Sequence, residues 1–226
     1  MSCGEGTLST RDGDKHLLVA CACGRWSCPP CARYRRRQLE AELVGGNPST
    51  FITLTWNASR PESPERARQI MGEAWKLLAA RVRRKWPAVE FAWGVVVERC
   101  ESGHPHFHLA TRAPYIPQKW LSEQWDNLVG ACVVDIRKIR TRRGLARYLT
   151  KYISKDPERI GTGKRYWFSQ DYRNEKERRA DRRRVAGAWY WDPEPLLLLV
   201  ARFLNTGFVI VEKTKTTCTI MQEQPP

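Results

Sequence analysis

Residues 103–110 read GHPHFHLA and hold three of the four histidines in the chain, at every second position; the fourth is His16. In an extended strand successive side chains point to opposite faces, so His104, His106 and His108 share one face while Phe107 and Leu109 take the other. Imidazoles aligned in this way form a metal-ligand pattern. Glu98 ends the preceding stretch VEFAWGVVVERC, and a hairpin turning at ESG would bring its carboxylate to the same face. His106, His108 and Glu98 would leave coordination positions open for a phosphate oxygen and water. Mixed nitrogen and oxygen donors suit Mg²⁺ or Mn²⁺ in phosphate chemistry, whereas imidazole alone would prefer zinc. His104 stands beside the turn and before Pro105, and is either a further ligand or only a neighbour of the site.

Two other stretches carry chemistry. YLTKYISK, residues 148–155, is Tyr-x-x-Lys twice in tandem. On a helix Tyr148 and Tyr152 lie one turn apart on a shared face, with Lys151 and Lys155 beside them. A phenol has a pKa of about 10, so nucleophilic use requires nearby positive charge or a metal-polarised electrophile. CACGRWSCPPCARYRRR places Cys21, Cys23, Cys28 and Cys31 in C-x-C-x4-C-x2-C spacing. Four thiolates can surround a tetrahedral zinc that would be structural, since no ligand position stays open, and such a knuckle would organise a segment with little core of its own. The other reading is a loop of reduced thiols.

These residues sit in a strongly basic chain. There are 39 Lys and Arg against 24 Asp and Glu, a formal net charge of +15. An excess of this size points to a polyanionic partner, nucleic acid first, because every phosphate neutralised releases condensed counterions. The basic residues cluster around the tyrosines: Arg137, Lys138, Arg140, Arg142, Arg143 and Arg147 precede Lys151 and Lys155 with no acidic residue between Arg137 and Lys155. Lys164 and Arg165 lie next to Tyr166, Trp167 and Phe168, and Trp167 is a candidate for stacking on an unpaired base, with core packing as the alternative. The amino terminus lacks a basic segment followed by an apolar run, and the longest apolar run, residues 195–204, is broken by Arg202. A cytoplasmic protein that does not cross a membrane is expected. Eight cysteines in that compartment favour metal binding or free thiols over disulfides.

The elements that must position these groups follow from periodicity. FITLTW (51–56) reads as a strand, and Ser63-Pro64 starts a helix with apolar residues at 67, 70, 71, 74, 77, 78 and 82 that ends at Pro87. Residues 89–100 and 104–111 form the hairpin, Pro117–Gly130 a second helix, CVVDIRKIR a fourth strand, and 142–155 a basic helix. Strand, helix, strand, strand, helix, strand, helix gives an α+β class: a ferredoxin-like antiparallel sheet with helices on one face. Three segments are expected: a Cys-rich 1–49, a core of 50–156, and an extension of 157–226 in which PEPLLLLVARFLNTG (193–207) reads as a short helix capped by Gly207 and FVIVEKT as a strand.

FITLTW, HPHFH and YLTKYISK, in that order, resemble the three motifs of the HUH endonucleases, most closely the rolling-circle replication initiators of single-stranded DNA phages and plasmids. The resemblance covers about residues 50–156. It implies the HUH fold and a metal-assisted attack by tyrosine on one strand of single-stranded or locally melted origin DNA, leaving a 5′-phosphotyrosine and a free 3′-hydroxyl. It further implies that His106 and His108 bind the ion, that Glu98 completes the site, and that Lys151 or Lys155 helps neutralise the scissile phosphate. A host helicase and polymerase would act as partners. An HUH transposase or relaxase would share the chemistry; a zinc-knuckle nucleic-acid-binding regulator would explain the charge and the cysteines but not the tandem tyrosines. A zinc hydrolase built on His-x-His would need further Asp and His ligands.

Overall fold

The computed structural model describes residues 3–155, 160, 161, 163–172 and 188–223. In chain order these form β1 (Thr7–Asp12), β2 (Lys15–Ala20), α1 (Pro29–Gly45), β3 (Thr50–Leu54), α2 (Pro64–Lys85), β4 (Ala92–Arg99), β5 (Pro105–Arg112), α3 (Gln118–Val129), β6 (Val134–Lys138), α4 (Arg142–Lys155), β7 (Tyr166–Phe168), β8 (Tyr190–Asp192), α5 (Leu196–Leu204), β9 (Phe208–Lys213) and β10 (Thr217–Gln222). The chain divides into two compact units, Tyr34–Arg178 and Met1–Arg33 with Arg179–Pro226. The division differs from the expected three segments because strand pairing joins the two chain ends. β1 pairs with both β2 and β8, and β2 pairs with β10. The sheet so formed, in the order β8-β1-β2-β10-β9, buries Leu18, Cys218 and Ile220 against Leu196, Leu199 and Val200 of α5.

The larger unit holds the expected α+β core. Its sheet has the order β6-β3-β5-β4-β7, antiparallel throughout, which is the ferredoxin-like arrangement with β7 added at one edge. α2 begins as its sequence predicts: Pro64 follows the N-cap Ser63, whose side chain accepts a hydrogen bond from the Arg66 N–H at 3.3 Å. It buries Ala67, Met71, Ala74, Trp75, Leu78, Ala79 and Val82. Leu77, expected on the buried side, is 55% exposed, because Trp75 and Ala79 define a stripe rotated away from it. α3 buries Leu121, Trp125 and Val129 and stops at Gly130, whose φ of 68° is the left-handed conformation that glycine adopts without strain.

The layering differs from a sheet covered on one side. Ile52, Val95, Val97, Phe107 and Leu109 join α2 and α3 in one core. The alternate residues Phe51, Val96, His108 and Ala110 are buried as well, and α4 lies across their face, its Tyr148 edge-on to Phe51 and its Tyr152 stacked on His108. A run such as Val95-Val96-Val97, with no polar alternate, fits a strand covered on both faces.

Tyr172 closes this second layer. It is fully buried, its hydroxyl donates to the Leu43 carbonyl at 3.0 Å, and its ring rests directly on Gly46, where a Cβ would overlap the ring atoms Cδ1, Cε1 and Cζ. Gly46→Ala is therefore expected to destabilise the protein by about 1–3 kcal/mol through overpacking. Urea unfolding followed by tryptophan fluorescence measures this; a midpoint equal to wild type would show that the ring gives way without cost.

Candidate active site

The β4–β5 hairpin sets the geometry. Its turn closes with Cys100 N–H donating to the His104 carbonyl and Gly103 N–H to the Cys100 carbonyl. This register places Glu98 directly opposite His106 and Val96 opposite His108. Side chains of a directly opposed pair share a face, so Glu98 and His106 stand together, with His108 one step along. Glu98 Oε2 lies 2.5 Å from His108 Nε2, and Thr53 Oγ1 of β3 lies 3.2 Å from His108 Nδ1. His108 is thus pinned from both neighbouring strands. An Nε2–H that donates to Glu98 leaves Nδ1 to accept from the Thr53 hydroxyl; an ion taken up at Nε2 and Glu98 would reverse the tautomer, with Nδ1–H donating to Thr53, an outer-shell arrangement common at metal-bound histidines.

His106 is half-buried, and its pKa is lowered by burial and by the neighbouring His108, with the Glu98 carboxylate opposing both. The neutral imidazole that results is the ligating form. His104 does not join the pair. Its Nε2 lies 3.2 Å from the Glu62 carbonyl and its Nδ1 3.4 Å from Ser102 Oγ. It precedes the strand, so the period-two alternation that aligns the other two does not govern it.

α4 carries both tyrosines over this face. Tyr152 stacks on His108 with ring centroids 5.5 Å apart and 21° between planes. Tyr148 meets Tyr152 edge-on at 4.9 Å and Phe51 edge-on at 6.0 Å, while Phe51 itself stacks on His108 at 5.6 Å. Tyr148 is 43% exposed. The Tyr152 hydroxyl is held well above the ordinary phenol range by burial, by its hydrogen bond with Tyr148 and by the Glu98 charge. Lys151, its neighbour in the chain, is exposed to solvent. The side chain of Lys155 lies outside the described residues. α4 is also tied to α1 through the Thr150 hydroxyl, which donates to Glu40 at 2.9 Å, and Glu40 receives Arg36 Nε as well.

Residues 49–157, the stretch that contains this whole arrangement, match the family model of the replication-associated protein ORF2. The segment is similar to that family of rolling-circle replication initiators. No curated protein and no solved structure matches the chain significantly. A replication initiator acts on DNA at an origin, and the matched segment carries an exposed basic surface. Arg137, Lys138, Arg140, Arg142, Arg143 and Arg147 are all exposed, and Lys138, Arg140, Arg142 and Arg143 line one open groove. Arg137 is paired with Asp135 at 2.7 Å.

Two of the expected DNA contacts are placed differently. Arg165 is buried, and its Nη2 donates to the Ile153 carbonyl near the end of α4 at 2.8 Å. Trp167 packs on the core, edge-on to Phe107 at 5.4 Å, with the Arg68 guanidinium 4.7 Å from its ring centroid. β7 is the reason: pairing with β4 directs alternate side chains of this short strand inward. Lys164, just before the strand, remains exposed. Arg68 carries no motif signal and escapes sequence reading; only the fold brings it here.

The cysteine cluster belongs to the other unit and forms a different set from the one its spacing suggests. The thiols of Cys3, Cys23, Cys28 and Cys31 all lie within 4.8 Å of one another and can hold a metal such as zinc. Cys3 Sγ is 3.4 Å and Cys23 Sγ 3.7 Å from Cys31 Sγ. Zinc–thiolate bonds of about 2.3 Å in a tetrahedron would put the sulfurs about 3.8 Å apart, so the four fit. Cys21 is not among them. The Gly4 N–H donates to the Cys21 carbonyl and the Cys21 N–H to the Gly6 carbonyl, so backbone pairing brings the Cys3 segment alongside and Cys21 itself is buried. Cys31 has its pKa pushed up to about 12, chiefly by burial and by the hydrogen bond with Cys3. Without a cation four adjacent thiolates repel, and a bound metal removes that penalty. Elemental analysis of purified protein should give about one zinc per chain for wild type and for Cys21→Ser, and loss of zinc for Cys3→Ser and Cys28→Ser. Zinc lost on replacing Cys21 but kept on replacing Cys3 would restore the set read from spacing.

Proposed function

We propose that the initiator segment nicks and rejoins one strand of single-stranded or locally melted origin DNA, using a tyrosine of α4 as nucleophile. One observation carries the reading: a histidine locked between Glu98 and Thr53 has a tyrosine stacked on its ring and a second tyrosine one helical turn away. A core packed for stability alone gains little from setting a carboxylate and two imidazoles beside two phenols. By the chemistry of their donors, His106, His108 and Glu98 would hold Mg²⁺ or Mn²⁺, which when bound would polarise the scissile phosphate and offset its charge. The chain's own groups do the rest. The tyrosine Oη forms a bond to phosphorus and yields its proton to water, the bond from phosphorus to O3′ breaks, and O3′ takes up a proton to become a free 3′-hydroxyl. The phosphate stays on tyrosine as a 5′-phosphotyrosine, so the energy of the broken bond is kept for rejoining. Lys151, with Lys155 after it on α4, is the cation of the tyrosine motif and is assigned the neutralisation of the scissile phosphate.

Tyr152 is assigned the first attack because it is the tyrosine stacked on His108, and Tyr148, more exposed, receives the strand in the second transfer. One turn of helix is about 5.4 Å, so a modest displacement of the strand presents the same phosphate to either hydroxyl. The free 3′-hydroxyl would serve a host polymerase, with a host helicase unwinding ahead of it, in the cytoplasm of the host. The cysteine cluster would hold a structural zinc. Among the described residues no helix is long and apolar enough to cross a membrane.

Labelled single-stranded oligonucleotides incubated with Mg²⁺ or Mn²⁺ and resolved by denaturing electrophoresis provide the test, a covalent protein–DNA band being the expected product. His106→Ala and His108→Ala should each abolish that band while leaving much of the DNA affinity, which the exposed arginines supply. Glu98→Gln, which keeps an oxygen donor but loses the charge, should weaken metal dependence less. Full cleavage by both histidine variants in chelator-treated buffer would eliminate the metal role. Tyr152→Phe is expected to lose initial nicking, Tyr148→Phe to nick but rejoin poorly, and the double variant to form no adduct. Peptide mapping that places the adduct on Tyr148 alone, with Tyr152→Phe fully active, would reverse the assignment.

A further inference from the structure

β7 covers the β4 edge only along Gly94–Val96. Beyond it the Val97 N–H donates to the Arg165 carbonyl at 2.8 Å, and β4 runs on to Arg99. A narrow, open-mouthed pocket lies there, its inner space that of about one water-sized oxygen, with Tyr152 in one wall and four cationic residues, Arg68, Arg99, Lys164 and Arg165, around it; no acidic residue is among its described lining. Arg68 is the unusual member. Its guanidinium lies 4.9 Å from the Phe107 ring centroid and 4.7 Å from that of Trp167, and its Nη2 donates to the Lys164 carbonyl at 2.9 Å. Among the described residues no carboxylate pairs with it. The chain passes close to it at Gly163, where a Cβ would stand in contact, 3.4 Å from Nε, Cζ and Nη2.

A guanidinium carries five N–H donors in a fixed fork suited to phosphate oxygens, and here one donor is spent on a protein carbonyl. Burial without an anion is unfavourable, and it pulls the pKa of Arg68 down to about 10. Cation–π contacts with two rings offset part of this penalty and fix the fork in place. An arriving phosphate would offset more of it, because an anion in a partly desolvated pocket is screened less than one on the open surface.

We infer that this pocket is a second phosphate subsite of the initiator segment, in which Arg68, assisted by Lys164, grips a backbone phosphate of the same DNA strand next to the one attacked. The inference rests on the proposed nicking function and extends it. The subsite shares Tyr152 with the active face, so holding a neighbouring phosphate sets which internucleotide bond is presented to the tyrosine. Arg68 is a positioning residue in this scheme and takes no part in bond making.

The test is the salt dependence of binding to a fluorescein-labelled oligothymidylate, measured by anisotropy for wild type, Arg68→Gln, Arg68→Lys and Lys164→Gln. Each phosphate contact on a single strand contributes about 0.7 to the slope of log K against log salt. Arg68→Gln should reduce the slope by about 0.7, which shrinks the affinity ratio between about 50 and about 200 mM salt by about 2.6-fold. Arg68→Lys, which retains the charge, should keep the slope. An Arg68 that merely braces the turn at Gly163–Lys164 would on removal lower affinity equally at every salt concentration, leaving the slope unchanged, and that result overturns the subsite. If Arg68→Gln fails to fold, as thermal melting would reveal, Lys164→Gln decides: a reduced slope supports the subsite and an unchanged one removes it. The covalent adduct separates this from the parent reading. An adduct with wild-type protein but no slope change removes the subsite alone, and a slope change with no adduct removes the nicking reading alone.

Discussion

His108 is buried at the centre of the larger unit, and the rest of the site depends on its being held there. A buried imidazole is tolerated only when its nitrogens are paired, since leaving one unmet costs about 1–3 kcal/mol. Glu98 meets one nitrogen from β4 and Thr53 meets the other from β3. Those two partners exist only if β3, β5 and β4 lie adjacent in this register, so fold and site are one constraint. A one-residue slip of β5 would turn the histidines into the α2–α3 core and bring Phe107 and Leu109 out among the tyrosines.

The same constraint explains why α4 must cover the second face. With Phe51, Val96 and Ala110 buried beside His108, an uncovered sheet would expose a broad apolar surface. α4 answers with Leu149 and Ile153 as packing residues and with Tyr152 as a side chain that is both packing and polar. A phenol suits that double role, having an apolar body and a hydroxyl tip. Burial that seats Tyr152 against the histidine also raises the pKa of its hydroxyl, so in the proposed reaction activation would have to come from substrate and ion rather than from the side chain alone.

The cations divide by depth. Those of the Arg137–Arg147 stretch lie in solvent, where phosphate contacts would act by counterion release, steering and holding DNA without choosing a bond. Arg165 is buried and joined to the end of α4, and Arg68 is partly buried against two rings. Fixed donors of this kind give geometry more than affinity. A basic composition predicts the first group well and is silent about the second.

Much of the larger unit was legible in the sequence because its signals are local. Ser63-Pro64 and Gly130 mark helix ends through caps that involve only their neighbours, and alternation in PHFHLA assigns His106 and His108 to one face, opposite Phe107 and Leu109, wherever the strand lies. The Val95-Val96-Val97 run carried a sign of two-sided burial, since a half-exposed strand would alternate. What the tertiary structure alone decided was pairing between distant segments. Nothing near Cys3 indicates that backbone hydrogen bonds to Cys21 will carry its thiol into the cluster in place of Cys21's own. Nothing near Thr7–Asp12 indicates pairing with Tyr190–Asp192, and nothing in α2 indicates that Arg68 meets Trp167. Spacing along the chain fixes which side of an element a residue occupies; which element faces it is settled by strand registry and helix packing between segments far apart in sequence, and no local pattern encodes that.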